Sequence, residues 1–285
     1  MKWQIGEVTI TAIVESSSTH SLHDLFPAAR DEEIAHIDWI GPPYLSAEGR
    51  VVLAIQAFCV ETPDKRIIVD TCNGNDKSRA TDFGHMQQSD LLDRMTLVGF
   101  GPEDVDIVLC THLHADHVGW NTSLRDGRWV PTFPRARYLI GRIEFEHEKT
   151  FAGTPFHEQF DDSVRPIVEA GLVDLVETDH QICRELRLIA SPGHTPGHVS
   201  VMIESGGELA LITGDFLHTP LQIARPDWSL SFDHDPELAR STRTLMLNTL
   251  ADTSTLILGS HFPSPTAGHV VREGASLRFC SHPQP

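Results

Sequence analysis

The stretch Thr111-His112-Leu113-His114-Ala115-Asp116-His117 decides how the rest of the chain is read. Three imidazoles and a carboxylate stand within six residues, His112 to His117, which is enough to begin two metal sites, and few other duties need these groups together. The run before it, Asp106-Ile107-Val108-Leu109-Cys110, is apolar and follows Gly101-Pro102, which suits a strand buried on both faces. The ligands therefore begin where a strand is expected to end, and a rigid strand feeding a loop is a common way to present reactive side chains. A histidine-rich surface turn is the competing reading.

Further ligands follow at other strand ends. Leu186-Arg187-Leu188-Ile189 reads as a strand and leads into Ser191-Pro192-Gly193-His194-Thr195-Pro196-Gly197-His198, a double Pro-Gly turn that presents His194. Leu209-Ala210-Leu211-Ile212 reads as another, ending in Gly214-Asp215, where glycine lets backbone approach closely. Leu256-Ile257-Leu258-Gly259-Ser260-His261 repeats the design with an imidazole.

This ordered set resembles the metallo-β-lactamase superfamily, whose signature runs H-x-H-x-D-H, a G-H-x-P-G-H turn, G-D and a late His, and the resemblance spans most of the chain. It implies an α/β fold of two mixed sheets packed together with flanking helices, the αββα sandwich, with metals at one edge. Carried over residue by residue, it assigns His112, His114 and His194 to one metal ion, and Asp116, His117 and His261 to the other. Asp215 would bridge them. A nitrogen and oxygen set without thiolate suits two divalent ions, zinc by default, and tolerates manganese, iron or cobalt. Two such ions ~3.5 Å apart would share a water, lower its pKa and deliver a bridging hydroxide to a carbonyl or phosphoryl centre. Asp116 or Asp215 would then pass the proton to the leaving group.

Three further positions carry expectations. His218 lies where bacterial N-acyl-homoserine lactone lactonases of this superfamily often have a tyrosine that touches substrate, and it is suited to donating to the substrate carbonyl or leaving oxygen. A satisfied surface histidine is the competing reading. Asp70, in Val69-Asp70-Thr71-Cys72, matches the family's V-D-T-G element with cysteine in place of glycine; it either orients a ligand imidazole or caps its own turn. His198 is expected to be structural, bonding backbone around the Pro-Gly turns.

The resemblance points to a metallo-hydrolase that opens a lactone or cleaves a related ester. An N-acyl-homoserine lactone is one candidate substrate, which would make the activity quorum quenching. The alternatives are a phosphotriesterase resembling methyl parathion hydrolase, a thioesterase of the glyoxalase II type, a mononuclear-iron persulfide dioxygenase, and last a non-catalytic metal-binding scaffold. The best-known zinc β-lactamases would show a Cys ligand near Asp215 and lack His117. No serine sits in G-x-S-x-G, so a nucleophile elbow is missing.

Composition sets the frame. With 285 residues and 40% hydrophobic, the chain can build a sizeable core, and a single domain over 1–285 is expected. A formal net charge of −18 would repel polyphosphate and anionic membranes, so the expected partner is a neutral, partly apolar small molecule rather than nucleic acid or membrane. No signal-like start or long apolar run appears, and the five cysteines are widely spaced without a C-x-x-C pair, which together suit a reducing cytoplasm. Trp3 to Val14 alternates, and 51–58 with 66–70 reads as paired strands. Helical spacing marks Gln88–Gly99, and Asp235 is a plausible N-cap for a helix through Leu250. Residues 20–50 lack a period and are expected to be a long substrate-lid or dimerisation loop in which Phe26, Trp39 and Tyr44 wall a pocket or interface, or pack on the chain's own core. That leaves a homodimer open.

Overall fold

The computed structural model describes residues 1–281. Its contacts divide the chain into two compact units, Met1–Ser16 with Ile55–His180, and Ser17–Ala54 with the chain from Gln181 onward.

The first unit is organised by a mixed sheet. Strand β1 (Lys2–Ile5) and β2 (Val8–His20) form a hairpin, so the alternation over Trp3–Val14 is carried by two strands that meet where Gly6 turns at φ 53°. After β3 (Val51–Glu61) and β4 (Arg66–Val69), which pair antiparallel, comes β5 (Ile107–Cys110). A separate hairpin of β6 (Thr122–Arg125) and β7 (Arg128–Pro131) precedes β8 (Arg137–Gly141) and β9 (Val173–Val176). The sheet order is β1-β2-β3-β4-β5-β8-β9, with β4, β5, β8 and β9 mutually parallel. Parallel strands are covered on both faces, which is why β5 reads as an unbroken apolar run: Val108, Leu109 and Cys110 are all buried. Val108 and Cys110 sit among Ile55, Ile68, Tyr138, Ile140 and Trp120, each large aliphatic contributing ~1.5–3 kcal/mol on burial. The helix anticipated between 88 and 99 forms over Leu91–Leu97 and buries Leu91 and Met95.

The second unit holds six strands in simple sequence order: β10 (Leu186–Ala190), β11 (Val199–Ser205), β12 (Glu208–Ile212), β13 (Leu256–Leu258), β14 (Ala267–Glu273) and β15 (Ser276–Cys280). Only β12 and β13 run parallel, and the crossover between them carries the helix Pro236–Leu250. Asp235 caps that helix as expected, its Oδ1 accepting from the amides of Glu237 and Leu238, with Pro236 at the first helical position. Residues 20–50 belong to this unit's own packing. Phe26 is fully buried against Trp228, ring centroids 5.7 Å apart, while Tyr44 is buried edge-on to Phe279 and donates to the carbonyl of Pro265 at 3.1 Å. Trp39 stays half-buried against two apolar clusters of the unit. No described helix is long and apolar enough to cross a membrane.

Candidate metal centre

In the first unit, β5 ends at Cys110 and the chain turns through His112 and His114 into a short helix, Ala115–Val118, that carries Asp116 and His117. The ring of His112 lies 4.6 Å from that of His114 and 4.1 Å from that of His117, and Nε2 of His117 is 3.7 Å from Oδ2 of Asp116. Asp70, at the end of β4, organises this group. Its Oδ1 accepts from the amide of Thr111 at 2.8 Å, while its Oδ2 accepts from the Thr111 hydroxyl at 2.8 Å and from Nδ1 of His117 at 2.9 Å. Because that hydroxyl donates to Asp70, it is left to accept from Nδ1 of His112, 3.1 Å away. One buried carboxylate thus fixes two imidazoles, and the ligand-orienting reading of Asp70 prevails over the turn cap. From the other side, buried Glu144 accepts from the amide of Leu113 at 3.0 Å and pins the backbone between His112 and His114.

In the second unit, Asp215 is the hub. Oδ2 of Asp215 lies 3.3 Å from Nε2 of His194, 3.0 Å from that of His218 and 3.2 Å from that of His261. Two of these rings are held from behind: Nδ1 of His194 donates to Oδ1 of Asp233 at 2.9 Å, and Nδ1 of His261 donates to the carbonyl of Ala54 at 2.9 Å. Asp215 itself is set by His198, whose Nε2 accepts from the Asp215 amide at 2.7 Å while Nδ1 faces Ser191. The expected structural role of His198 therefore extends to placing Asp215. Gly214 is required there: at φ 56°, a Cβ would come within 2.5 Å of Nε2 of His198.

The donor chemistry fits divalent ions. With Nδ1 protonated and committed to an oxygen, Nε2 of His117, His194 and His261 is the lone-pair end, and such backing raises the basicity of a ligand imidazole. Several lone pairs converging on one carboxylate repel unless a cation lies among them. Thiolates do not compete: burial raises the thiols of Cys59 and Cys110 to about 12.

Comparison with known proteins agrees with this geometry. The family model of the metallo-beta-lactamase superfamily matches residues 50–261. The chain belongs to that superfamily. An N-acyl homoserine lactonase of Bacillus cereus is 27% identical over 180 residues, 59% of this chain and 65% of that protein. The N-acyl homoserine lactonase AiiA of Bacillus thuringiensis subsp. kurstaki is 26% identical over 67% of this chain and 74% of its own. Among solved structures, the hydrolase AbOPH, described as in the beta lactamase superfamily, has a TM-score of 0.82 at 26% identity, covering 100% of this chain and 97% of that one. AidC, a dizinc quorum-quenching lactonase, shares the fold with a TM-score of 0.80 at 23% identity and coverage of 100% and 98%. The two mixed sheets with flanking helices are the metallo-β-lactamase fold, as the sequence led one to expect.

Several supports of this superfamily site had no signal in the sequence. Glu144 lies on a polar helix, Arg142–Lys149, and Asp233 in the irregular segment before Asp235. The same segment carries Phe232, 48% exposed, whose ring centroid is 5.8 Å from those of both His194 and His218. It is braced by Arg243, fully buried, which donates to the carbonyls of Phe216, Pro226 and Trp228. The departure at Cys72 has a visible consequence: at φ 53° it occupies the left-handed region that a glycine adopts freely.

Proposed function

We propose that the protein is a metal-dependent hydrolase that opens a lactone or cleaves a related ester, with N-acyl-homoserine lactones as the leading substrates. The observation that carries this reading is the backing of the ligands: the Nδ1 atoms of His117, His194 and His261 each donate to an oxygen, leaving Nε2 to a metal. The superfamily signature assigns His112, His114 and His194 to one ion and Asp116, His117 and His261 to the other, with Asp215 shared, and that assignment is part of the proposal. Support comes from a family match that runs through both sets and from a likeness to AbOPH over the whole chain. Zinc is the expected metal, in line with AidC, described as dizinc.

Bound there, divalent ions supply an activated water and an electrophilic hold on the substrate oxygen. The chain's own groups do the rest. In this reading Asp116 or Asp215 carries the proton from water to the leaving oxygen, and His218, beside Asp215, hydrogen-bonds the substrate. Half-exposed Phe232 offers an apolar face to the acyl part. A small, partly apolar lactone suits this setting, and relatives named N-acyl homoserine lactonase support it. The described cysteines are all free thiols, which fits a reducing cytoplasm.

The test is a panel of lactones, carboxylic esters and phosphotriesters offered to zinc-loaded protein, with Asp116→Ala as control. Lactone ring opening that disappears together with bound metal in the control is expected. No ring opening above background would end the lactonase reading, and faster phosphotriester turnover would select the second one, since an activated water attacks phosphorus equally well in line.

A further inference from the structure

His218 differs from the other imidazoles around Asp215 in having no support behind its Nδ1. Its Nε2 lies 3.0 Å from Oδ2 of Asp215, no farther than those of His194 and His261, and has no hydrogen-bond partner. Its Nδ1 is buried and has no partner either. The residue is only 2% exposed, stacked on His261 with centroids 5.0 Å apart and planes at 14°. Leaving both nitrogens of a buried ring unsatisfied is costly, and native interiors rarely tolerate it. What satisfies Nε2 must also tolerate a carboxylate oxygen at hydrogen-bond distance without donating a proton to it in good geometry. A cation does this. Asp215, His218 and His261 bring one ligand atom each within 4.8 Å of one another, all three buried.

We propose that His218 is an additional metal-ligating side chain, coordinating through Nε2 beside Asp215 and His261 when no substrate is present. The inference rests on the metal-centre reading above and adds a residue to it. The anchored rings are fixed ligands because an oxygen behind Nδ1 sets their tautomer and orientation; His218, with nothing behind it, is the exchangeable one. A substrate oxygen displaces it, and the displaced ring stays beside the position it left. The resting site is thereby closed by its own histidine rather than by solvent.

Cobalt(II) tests this without turnover, because its visible d–d bands weaken as the coordination number rises. Protein loaded with two equivalents of Co²⁺ is compared with His218→Ala and with His218→Gln, the second keeping bulk and polarity should alanine misfold. Both variants are expected to absorb more strongly, to bind azide about tenfold more tightly at the opened position, and to bind one Co²⁺ about tenfold more weakly. Superimposable spectra and unchanged azide affinity, with two ions still bound, would overturn the assignment of His218 alone. Failure of the wild-type protein to bind Co²⁺ would overturn the metal-centre reading with it.

Discussion

In the first unit one carboxylate, Asp70, orients His117 directly and His112 through the Thr111 hydroxyl, whereas in the second unit His194, His261 and Asp215 each have their own support. Asp233 stands behind His194, the Ala54 carbonyl behind His261, and His198 behind Asp215. Ligands that are neighbours in sequence share a foundation; ligands gathered from separate strand ends cannot. The contrast is one of failure modes. Removing Asp70 releases two imidazoles and the Thr111 amide at once, from a site where Asp70 is 1% exposed. Asp70→Ala is therefore expected to weaken metal binding about 100-fold and to cost about 3 kcal/mol or more of stability. Metal titration and urea unfolding of the same preparation check both. A loss no larger than that of a single-support variant in the second unit would break the comparison.

The buried cations repeat the contrast, one in each unit. Lys77 is fully buried, its Nζ donating to Oγ1 of Thr122 at 2.6 Å and lying 3.5 Å over the centre of the Trp129 ring, with Asp162 beside it. Burial pulls its pKa down to about 7, against the opposing pull of Asp162. Arg243, also fully buried, is lowered only to about 10 and keeps its charge at neutral pH. Unfolded, Lys77 returns to an ordinary value near 10.4. Between pH 7 and 10 the unfolded chain thus holds a proton the folded chain lacks, and stability rises with pH by up to ~1.4 kcal/mol per unit. Below pH 7 both states are protonated and the slope vanishes. Lys77→Met should flatten the rise between pH 7 and 9 measured by urea unfolding. A slope that survives the substitution would assign it to another group.

The same division explains what was legible beforehand. The apolar run of β5 and the motif after it could be read directly, because both lie in one continuous segment whose period reports burial on both faces. Strand ends at His194, Asp215 and His261 were legible for the same reason, each closing a short apolar run. The supports were not, since a carboxylate such as Glu144 or Asp233 becomes a buttress only through the fold, and its neighbours in sequence look like any polar helix or loop. Nor did spacing reveal that 20–50 would pack Phe26 and Tyr44 into the second unit, because aromatics without a period carry no direction.

A smaller effect sharpens the view of independent supports. Asp233 is buried, and desolvation raises its carboxyl above the ordinary range. It holds His194 and, through Oδ2, the amide of Leu230. Asp233→Asn keeps the volume but replaces one acceptor oxygen with a donor, so His194 loses its orientation while His261 and Asp215 keep theirs. Affinity for one of two ions should fall about tenfold and the other should stay put, as read by stepwise metal titration. Equal weakening of both would mean that the second unit, like the first, fails as a block.

The smallest effect concerns Phe232, next to that buttress in sequence but opposite in character. Asp233 is buried and holds a ligand; Phe232 is 48% exposed and touches His194 and His218 with its edge. Single exposed apolar residues are ordinary. This one is fixed from both sides, Ser231 by the backbone of Leu25 and Asp24 and Asp233 by His194, so the ring is presented at a set place. Each acyl methylene that reaches it is worth up to about fourfold in affinity. Phe232→Ala should therefore raise KM several-fold for long-chain acyl lactones and progressively less for shorter ones, with kcat moving less than KM. A chain-length series measured on metal-replete protein separates the outcomes. A rise in KM independent of chain length, or loss of metal, would make Phe232 part of the His194 support and leave the acyl contact to other residues.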